Sequence, residues 1–153
     1  MASIRSAARA LIVQGNQVLL TRCRYGDHEF YLLPGGGQEP GESLAQAVAR
    51  ECREEIGAEV EVGGLRFVRD YIPAPERFSY LSEAPHQVEH IFECRVPQDY
   101  EPVGGVEPDS TQVAVEWVDF EALEGRPVYP EWLARVLQAA DRDALPVYQG
   151  DDE

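Results

Sequence analysis

Glu51, Glu54 and Glu55 stand close together in a segment running from Gly36 to Ala58 as G-G-Q-E-P-G-E-S-L-A-Q-A-V-A-R-E-C-R-E-E-I-G-A. At about 100° per residue, Leu44, Ala47, Val48, Glu51 and Glu55 follow one i, i+3, i+4, i+7 stripe, with Glu54 beside it. A stripe that begins apolar and ends acidic breaks the binary pattern of a helix packed on a core, and such breaks are expected at functional sites. The three charges also gather toward the helix C-terminus, where the macrodipole disfavours anions. A cation would relieve both conflicts, and carboxylate oxygens suit a hard one, Mg²⁺ or Mn²⁺. An E-x-x-E-E triplet alone reads more often as a solvated helix face than as a site, so the neighbouring residues decide.

Those neighbours are the ones needed to hold such a turn in place. Pro34-Gly35-Gly36-Gly37 allows close backbone approach or positive φ before the helix. Ser43 and Gln46 have capping-box spacing, and Gly57 suits the position just past the C-terminus. Arg50 lies one turn from Glu54 and can also reach back toward Glu42, tying loop to helix.

The segment resembles the Nudix box, G-x5-E-x7-R-E-U-x-E-E-x-G-U, with U a bulky aliphatic residue. Gly36, Glu42, Arg50, Glu51, Glu54, Glu55 and Gly57 match. Cys52 and Ala58 depart at the two U positions, which concern packing. The resemblance implies an α/β/α sandwich with a mixed β-sheet. It also implies hydrolysis of a nucleoside diphosphate linked to another moiety, by water attack on phosphorus. By the same resemblance Glu51 and Glu55, often with Glu54 and the Gly35 carbonyl, would hold Mg²⁺ or Mn²⁺. Glu42 and Arg50 would be architectural, and the general base would be a box glutamate or one on a distant loop.

A chain of 153 residues suits one domain with a substantial core. We assign residues 1–149 to that domain and 150–153 to an acidic tail. All basic residues are arginine, and the net charge is −15. This balance argues against a nucleic-acid backbone as partner, since such affinity rests on phosphate neutralisation. A small phosphorylated substrate would need metal and local arginines to invert the field. Cys23, Cys52 and Cys94 have no zinc spacing and read as free thiols in a reducing compartment. No apolar run suits a membrane span or a signal peptide, so a cytoplasmic location is expected. A homodimer is left open.

The remaining pattern is mixed. Residues 8–13 and 17–21 are apolar runs split by Gly15-Asn16, a hairpin signal. Residues 30–33 form a short strand feeding the glycine loop. Residues 59–72, interrupted at Gly63-Gly64, form either a strand pair or one long bent strand. Residues 87–96 alternate, with Val88, His90, Phe92, Cys94 and Val96 facing one way and Gln87, Glu89, Ile91, Glu93 and Arg95 the other. Residues 113–118 are a further strand. A second helix is expected to start near Pro130, with Trp132, Leu133, Val136, Leu137 and Ala140 as its apolar residues.

A diphosphate calls for arginine forks and an adenine for an aromatic face. Arg9, Arg22, Arg24 and Arg69 are the arginine candidates, and Phe67, Tyr71, Phe78 and Tyr80 the aromatic ones; a core or surface place is the alternative for each. Glu89 and Glu93 share a polar strand face. One of them is a candidate for a further metal ligand or base, and a solvated edge is the competing reading. His90 reads as a satisfied core histidine. Pro73, fifteen residues past Ala58, and the pattern of the flanking strands resemble ADP-ribose-pyrophosphatase-type Nudix proteins. The alternatives are a nucleoside triphosphate pyrophosphohydrolase, including one for oxidised nucleotides, and a non-catalytic nucleotide-sensing module.

Overall fold

The computed structural model describes residues 3–73, 86–103 and 111–151. Its strands are β1 (Arg5–Gln14), β2 (Gln17–Tyr25), β3 (His28–Leu32), β4 (Gly35–Gly37), β5 (Glu61–Tyr71), β6 (Gln87–Arg95), β7 (Gln112–Asp119) and β8 (Val128–Tyr129). Its α-helices are α1 (Leu44–Ile56) and α2 (Leu133–Leu137). The sheet runs β5-β6-β1-β2-β3-β8, with β4 also pairing β1 and β7 also pairing β2. The β1–β6 and β3–β8 pairs are parallel and the others antiparallel, so the sheet is mixed.

The β1–β2 turn is the expected two-residue loop: Gln14 pairs Gln17, and Gly15 has φ 57°. Only the tip of β1 pairs β2. Farther back, Ala7, Ala8 and Arg9 face Gly37, Gly36 and Gly35. The sheet therefore opens on one side of β1, and the glycine strand fills the gap. Residues 61–71 form one strand, with register shifts between Val62 and Phe67 where the Gly63-Gly64 break was noted. A side chain at Gly63 would sit 2.8 Å from the Glu93 carbonyl oxygen, which accounts for that glycine.

Strand alternation sorts the core into two layers. Ala8, Ala10, Ile12 and Leu19 pack with Ala47, Val48, Cys52 and Ile56 of α1. Leu11, Val18, Leu20, Phe67 and Ile91 pack with Trp132, Leu133, Val136 and Leu137 on the other face. With α1 on one side and α2 on the other, this is the expected α/β/α arrangement. Cys52 and Ala58, the departures from bulky aliphatics, are both buried in the α1 layer, and none of Cys23, Cys52 and Cys94 is in a disulfide.

The second helix departs from expectation. It spans Leu133–Leu137, Trp132 occupies its N-cap, and Ala140 is exposed beyond it. Pro130 opens the turn that leads into it: its carbonyl accepts from the Leu133 amide at 3.1 Å. After Leu137 the apolar pattern stops, and too little apolar surface remains to bury another turn. Along the free edge of β5, the Val68 amide donates to Val147 and the Asp70 amide to Gly150, both at 2.8 Å. Gly150, the first residue of the expected tail, thus lies against the sheet. Among the described residues no helix is long and apolar enough to cross a membrane.

Candidate active site at the glycine strand and helix α1

Helix α1 is fixed at both ends by its own sequence. The Ser43 hydroxyl accepts from the Gln46 amide at 3.1 Å, and the Ser43 amide donates to the Gln46 side chain at 2.8 Å. Such caps contribute about 1 kcal/mol each. Gly57 ends the helix in the left-handed region at φ 68°. The cap sets the helix phase, so Ala47, Val48, Cys52 and Ile56 are buried while the acidic end of the stripe meets β4.

Two contacts join helix and glycine strand. The Gly35 amide donates to Glu55 Oε1 at 3.1 Å, and Glu55 is buried. A Cβ at Gly36 would lie 2.7 Å from Glu51 Oε1, so the Glu51 carboxylate occupies the space where a side chain would be. Gly35 has φ 148°, and a Cβ there would stand 2.2 Å from the Ala8 carbonyl oxygen. Only glycine allows β4 this close to both β1 and α1.

Arg50 gathers the remaining acids. It pairs with Glu42 through two nitrogens, contacts Glu51 at 3.0 Å and Glu54 at 3.3 Å, and donates to the Gly37 carbonyl at 2.9 Å. The hydrogen bond from Arg50 holds the Glu42 carboxyl down at about 2, and the Glu42 bond in turn raises the Arg50 pKa. The loop-to-helix tie expected from sequence is thus present. Arg50 also reaches two of the three acids assigned to metal.

No three carboxylate, imidazole or thiol groups converge on a single point among the described residues. The donor chemistry nevertheless fits a hard cation. Glu51 and Glu55 both abut the glycine backbone, Glu54 lies on the same turn, and all offer oxygen. Glu51 has its Oε1 on Arg50, and the side chains of Glu51 and Glu54 are 14% and 29% exposed, within reach of a solute.

A cavity of about 70 Å³ adjoins this junction, lined by Arg5, Arg9, Gly35, Gly36, Glu55 and Gln87 among others. A larger cleft of about 680 Å³, between the Gly15-Asn16 turn and α2, contains none of the box residues. Chemistry favours the smaller one.

The four expected substrate arginines separate. Arg9 lines the cavity, with Nε on Glu89 at 2.7 Å and Nη1 on the Leu33 carbonyl at 2.9 Å. Arg69 is buried, with Nε on Glu89 at 2.7 Å and its guanidinium over the Tyr71 ring. Arg22 and Arg24 alternate away from Thr21 and Cys23, the β2 residues that line the cavity, and pair with Glu29. Arg22 also meets Glu116. The solvated-edge reading fails for Glu89, which is 0% exposed. Burial pushes its carboxyl up, but the charges of Arg9 and Arg69 outweigh that and hold it down at about 2. Glu93 is exposed farther along β6 and does not line the cavity. Phe67 and Tyr71 are core residues, and Phe78 and Tyr80 lie outside the described residues. His90 is half-buried, with Nδ1 2.9 Å from the Ala7 carbonyl oxygen.

Arg5 and Gln87 were not anticipated. A Cβ at Gly37 would lie 2.3 Å from Arg5 Nη2, so Arg5 lies over the glycine strand. Gln87 is buried and donates to Glu89 at 2.8 Å, while its Oε1 has no partner among the described residues. The signal for Arg5 was its position at the start of the strand that pairs with the glycines. Gln87 carried none.

The NUDIX domain family model matches residues 3–139. An isopentenyl-diphosphate Delta-isomerase of Klebsiella pneumoniae subsp. pneumoniae is 31% identical over 152 residues, covering 88% of this chain and 72% of the relative. A NAD-capped RNA hydrolase, NudC, of Chromobacterium violaceum is 30% identical over 91% of this chain; the match spans 47% of that longer protein. The crystal structure of a MutT NUDIX hydrolase from Burkholderia pseudomallei superposes with a TM-score of 0.69 at 28% identity, covering 91% of this chain and 99% of that one. The family model covers the glycine strand, the capped helix and the Glu42–Arg50 tie, and the chain belongs to the NUDIX domain family.

Proposed function

We propose that this protein is a metal-dependent pyrophosphohydrolase acting on a nucleoside diphosphate linked to another moiety, with ADP-ribose or a related nucleotide sugar as substrate. The observation that carries the reading is the meeting of Glu51 and Glu55 with the Gly35–Gly37 strand, with Glu54 on the same helical turn, beside a cavity that Arg5 and Arg9 line.

Glu51, Glu54, Glu55 and the Gly35 carbonyl would hold Mg²⁺ or Mn²⁺. The chemistry such an ion supplies when bound is neutralisation of charge on the phosphate oxygens. Arg5 supplies a further positive group for the diphosphate. Glu54, the most exposed of the three acids, is assigned the proton of the attacking water. The water oxygen bonds to one phosphorus, the bridging P–O bond breaks, and ADP-ribose yields AMP and ribose 5-phosphate. Arg50 and Glu42 hold the helix against the glycine loop while this happens.

The substrate assignment rests on Pro73, which is exposed just past β5, and on the flanking strand pattern. A second reading, hydrolysis of nucleoside triphosphates, draws support from a nucleoside triphosphatase NudI of Enterobacter sp. that is 35% identical over 66 residues. A non-catalytic module is disfavoured because every box glutamate is retained. The −15 charge favours a small substrate over a polymer, and a cytoplasmic setting suits three cysteines outside any disulfide.

A substrate panel with product chromatography tests the assignment. EDTA should abolish hydrolysis, and Mg²⁺ or Mn²⁺ should restore it. kcat/KM for ADP-ribose should exceed that for dGTP, 8-oxo-dGTP and ATP by about tenfold, or roughly 1.4 kcal/mol in transition-state stabilisation. A triphosphate that wins by that margin reverses the substrate assignment, and full activity in chelator ends the metal reading. Isopentenyl diphosphate belongs in the panel because of the isomerase relative, and its conversion to an isomer would overturn hydrolysis as the principal activity.

A further inference from the structure

The buried polar row behind the glycine strand has no part in the box. Arg9, Glu89 and Arg69 lie on adjacent strands β1, β6 and β5. By strand parity they share the face of Leu11, Ile91 and Phe67, opposite α1. Glu89 takes one guanidinium on each oxygen, Arg69 Nε on Oε1 and Arg9 Nε on Oε2, both at 2.7 Å, and the Gln87 amide joins Oε2 at 2.8 Å. All four residues are at most 5% exposed.

Such a network is costly to bury and adds little net stability compared with apolar packing, so a specific geometric role is the better explanation for it. Arg9 shows what that role is. With Nε anchored on Glu89, its Nη1 reaches forward to the Leu33 carbonyl at 2.9 Å and the Gly35 carbonyl at 3.4 Å. Gly35 lies so close on Arg9 that a Cβ there would be 2.6 Å from Arg9 Cα and 2.9 Å from Arg9 Cγ. The guanidinium thus fixes where the Gly35 peptide sits. The other side of that residue, its amide, meets Glu55.

We propose that Glu89 and Arg9 are positioning residues. Glu89 orients Arg9, and Arg9 sets the Gly35 peptide so that its carbonyl and the carboxylates of Glu51 and Glu55 face a common cation. Glu89 acts through Arg9 and touches neither substrate nor metal. The inference rests on the metal-dependent reading above for its catalytic consequence, but its geometric part stands apart from that reading.

The test uses the full chain with two substitutions. Arg9→Lys keeps a positive charge beside Glu89, but its single nitrogen cannot bond Glu89 and reach the Leu33 and Gly35 carbonyls at the same time. Glu89→Gln keeps the shape and removes the anion; if it does not fold, Arg9→Lys decides. Amide hydrogen exchange in metal-free protein, Mn²⁺ affinity without nucleotide, and the split between kcat and KM are measured. The Gly35 amide should exchange at least about tenfold faster, while the β1–β6 ladder amides stay protected. Mn²⁺ should bind about tenfold more weakly, and kcat should fall about 10- to 100-fold with KM within about threefold. Unchanged Gly35 exchange and Mn²⁺ affinity in a folded variant overturn the proposal. So does a rise in KM at constant kcat, which would place Arg9 on the substrate. A wild-type protein that binds no Mn²⁺ overturns the functional reading instead, and Gly35 exchange then decides the geometric part alone.

Discussion

Arg50 grips Glu42 with both ends of its guanidinium, Nη2 to Oε1 at 2.8 Å and Nε to Oε2 at 3.0 Å, across the junction between the loop and α1. Bidentate pairs of this kind are directional as well as attractive. Because Arg50 also donates to the Gly37 carbonyl, one side chain fixes the end of the glycine strand, the loop and the helix together. Arg50→Ala removes all three ties and leaves Glu42 without its partner. Turnover and thermal stability should fall together, with Tm lower by about 4–10 °C, the equivalent of roughly 1.5–3 kcal/mol for a domain of this size. Thermal unfolding alongside steady-state kinetics separates the cases. A loss of rate at unchanged Tm would move Arg50 from architecture to substrate contact.

The same pair predicts an acid limb. Glu42 has its carboxyl depressed from 4.5 to about 2 by the Arg50 hydrogen bond. A carboxylate with a lower pKa folded than unfolded stabilises the fold above its unfolded value, and that contribution disappears as pH falls through the folded value. Stability supplied by Glu42 should therefore be complete above about pH 5 and fade between 4.5 and about 2. Glu89, also held at about 2, adds to the same window. Denaturant unfolding from pH 6 to 2 should give a shallower acid slope for Glu42→Gln than for wild type. Identical slopes would mean that the pair does not persist in solution.

The box glutamates should behave differently from Arg50. Gln at Glu51, Glu54 or Glu55 keeps the shape and removes one charge from a crowded turn. Turnover should drop by on the order of 10²–10⁴, while the metal-free protein folds at wild-type Tm or above as repulsion is relieved. Glu55 is the exception to watch, because its Oε1 accepts the Gly35 amide and Gln can preserve that bond only through its carbonyl oxygen. Near wild-type rates in both Glu51→Gln and Glu55→Gln would put the chemistry elsewhere.

These distinctions follow how the chain could be read. The box, its capping residues and the Glu42–Arg50 tie were legible because each depends on contacts within one helix and the loop before it, where spacing determines geometry. The β6 network was not. Period-two alternation shows that Glu89 and Glu93 share a face, but it does not show what covers that face. Arg9 and Arg69 come from strands 80 and 20 residues away, and only the sheet order β5-β6-β1 brings them onto Glu89. Arg22 and Arg24 illustrate the converse. They are close in sequence to strand residues at the cavity, but one step of alternation turns them to the opposite face. The bounds of the second helix were obscured for another reason, since Pro130 belongs to the turn before the helix and Ala140, read as part of its apolar face, lies exposed beyond its end.

Gly36 gives the sharpest test of where Glu51 sits. Its backbone is not in the left-handed region, so alanine meets no intrinsic strain there. The added Cβ would lie 2.7 Å from Glu51 Oε1, the atom that also accepts from Arg50. The carboxylate end must therefore swing aside while the fold is retained. Gly36→Ala should keep Tm within about 2–3 °C, roughly 1 kcal/mol, yet weaken Mn²⁺ binding and kcat by about tenfold, a further 1.4 kcal/mol taken from the site rather than from the fold. Gly35→Ala is the control with the opposite outcome. Its Cβ would collide with the Ala8 backbone at 2.2 Å, and its φ of 148° suits glycine alone. Neither can relax cheaply, so that variant should lose several kcal/mol of stability before metal is added. Calorimetric Mn²⁺ titration and thermal unfolding of the two proteins side by side distinguish them. Wild-type Mn²⁺ affinity in Gly36→Ala would show that the Glu51 carboxylate is not a metal ligand.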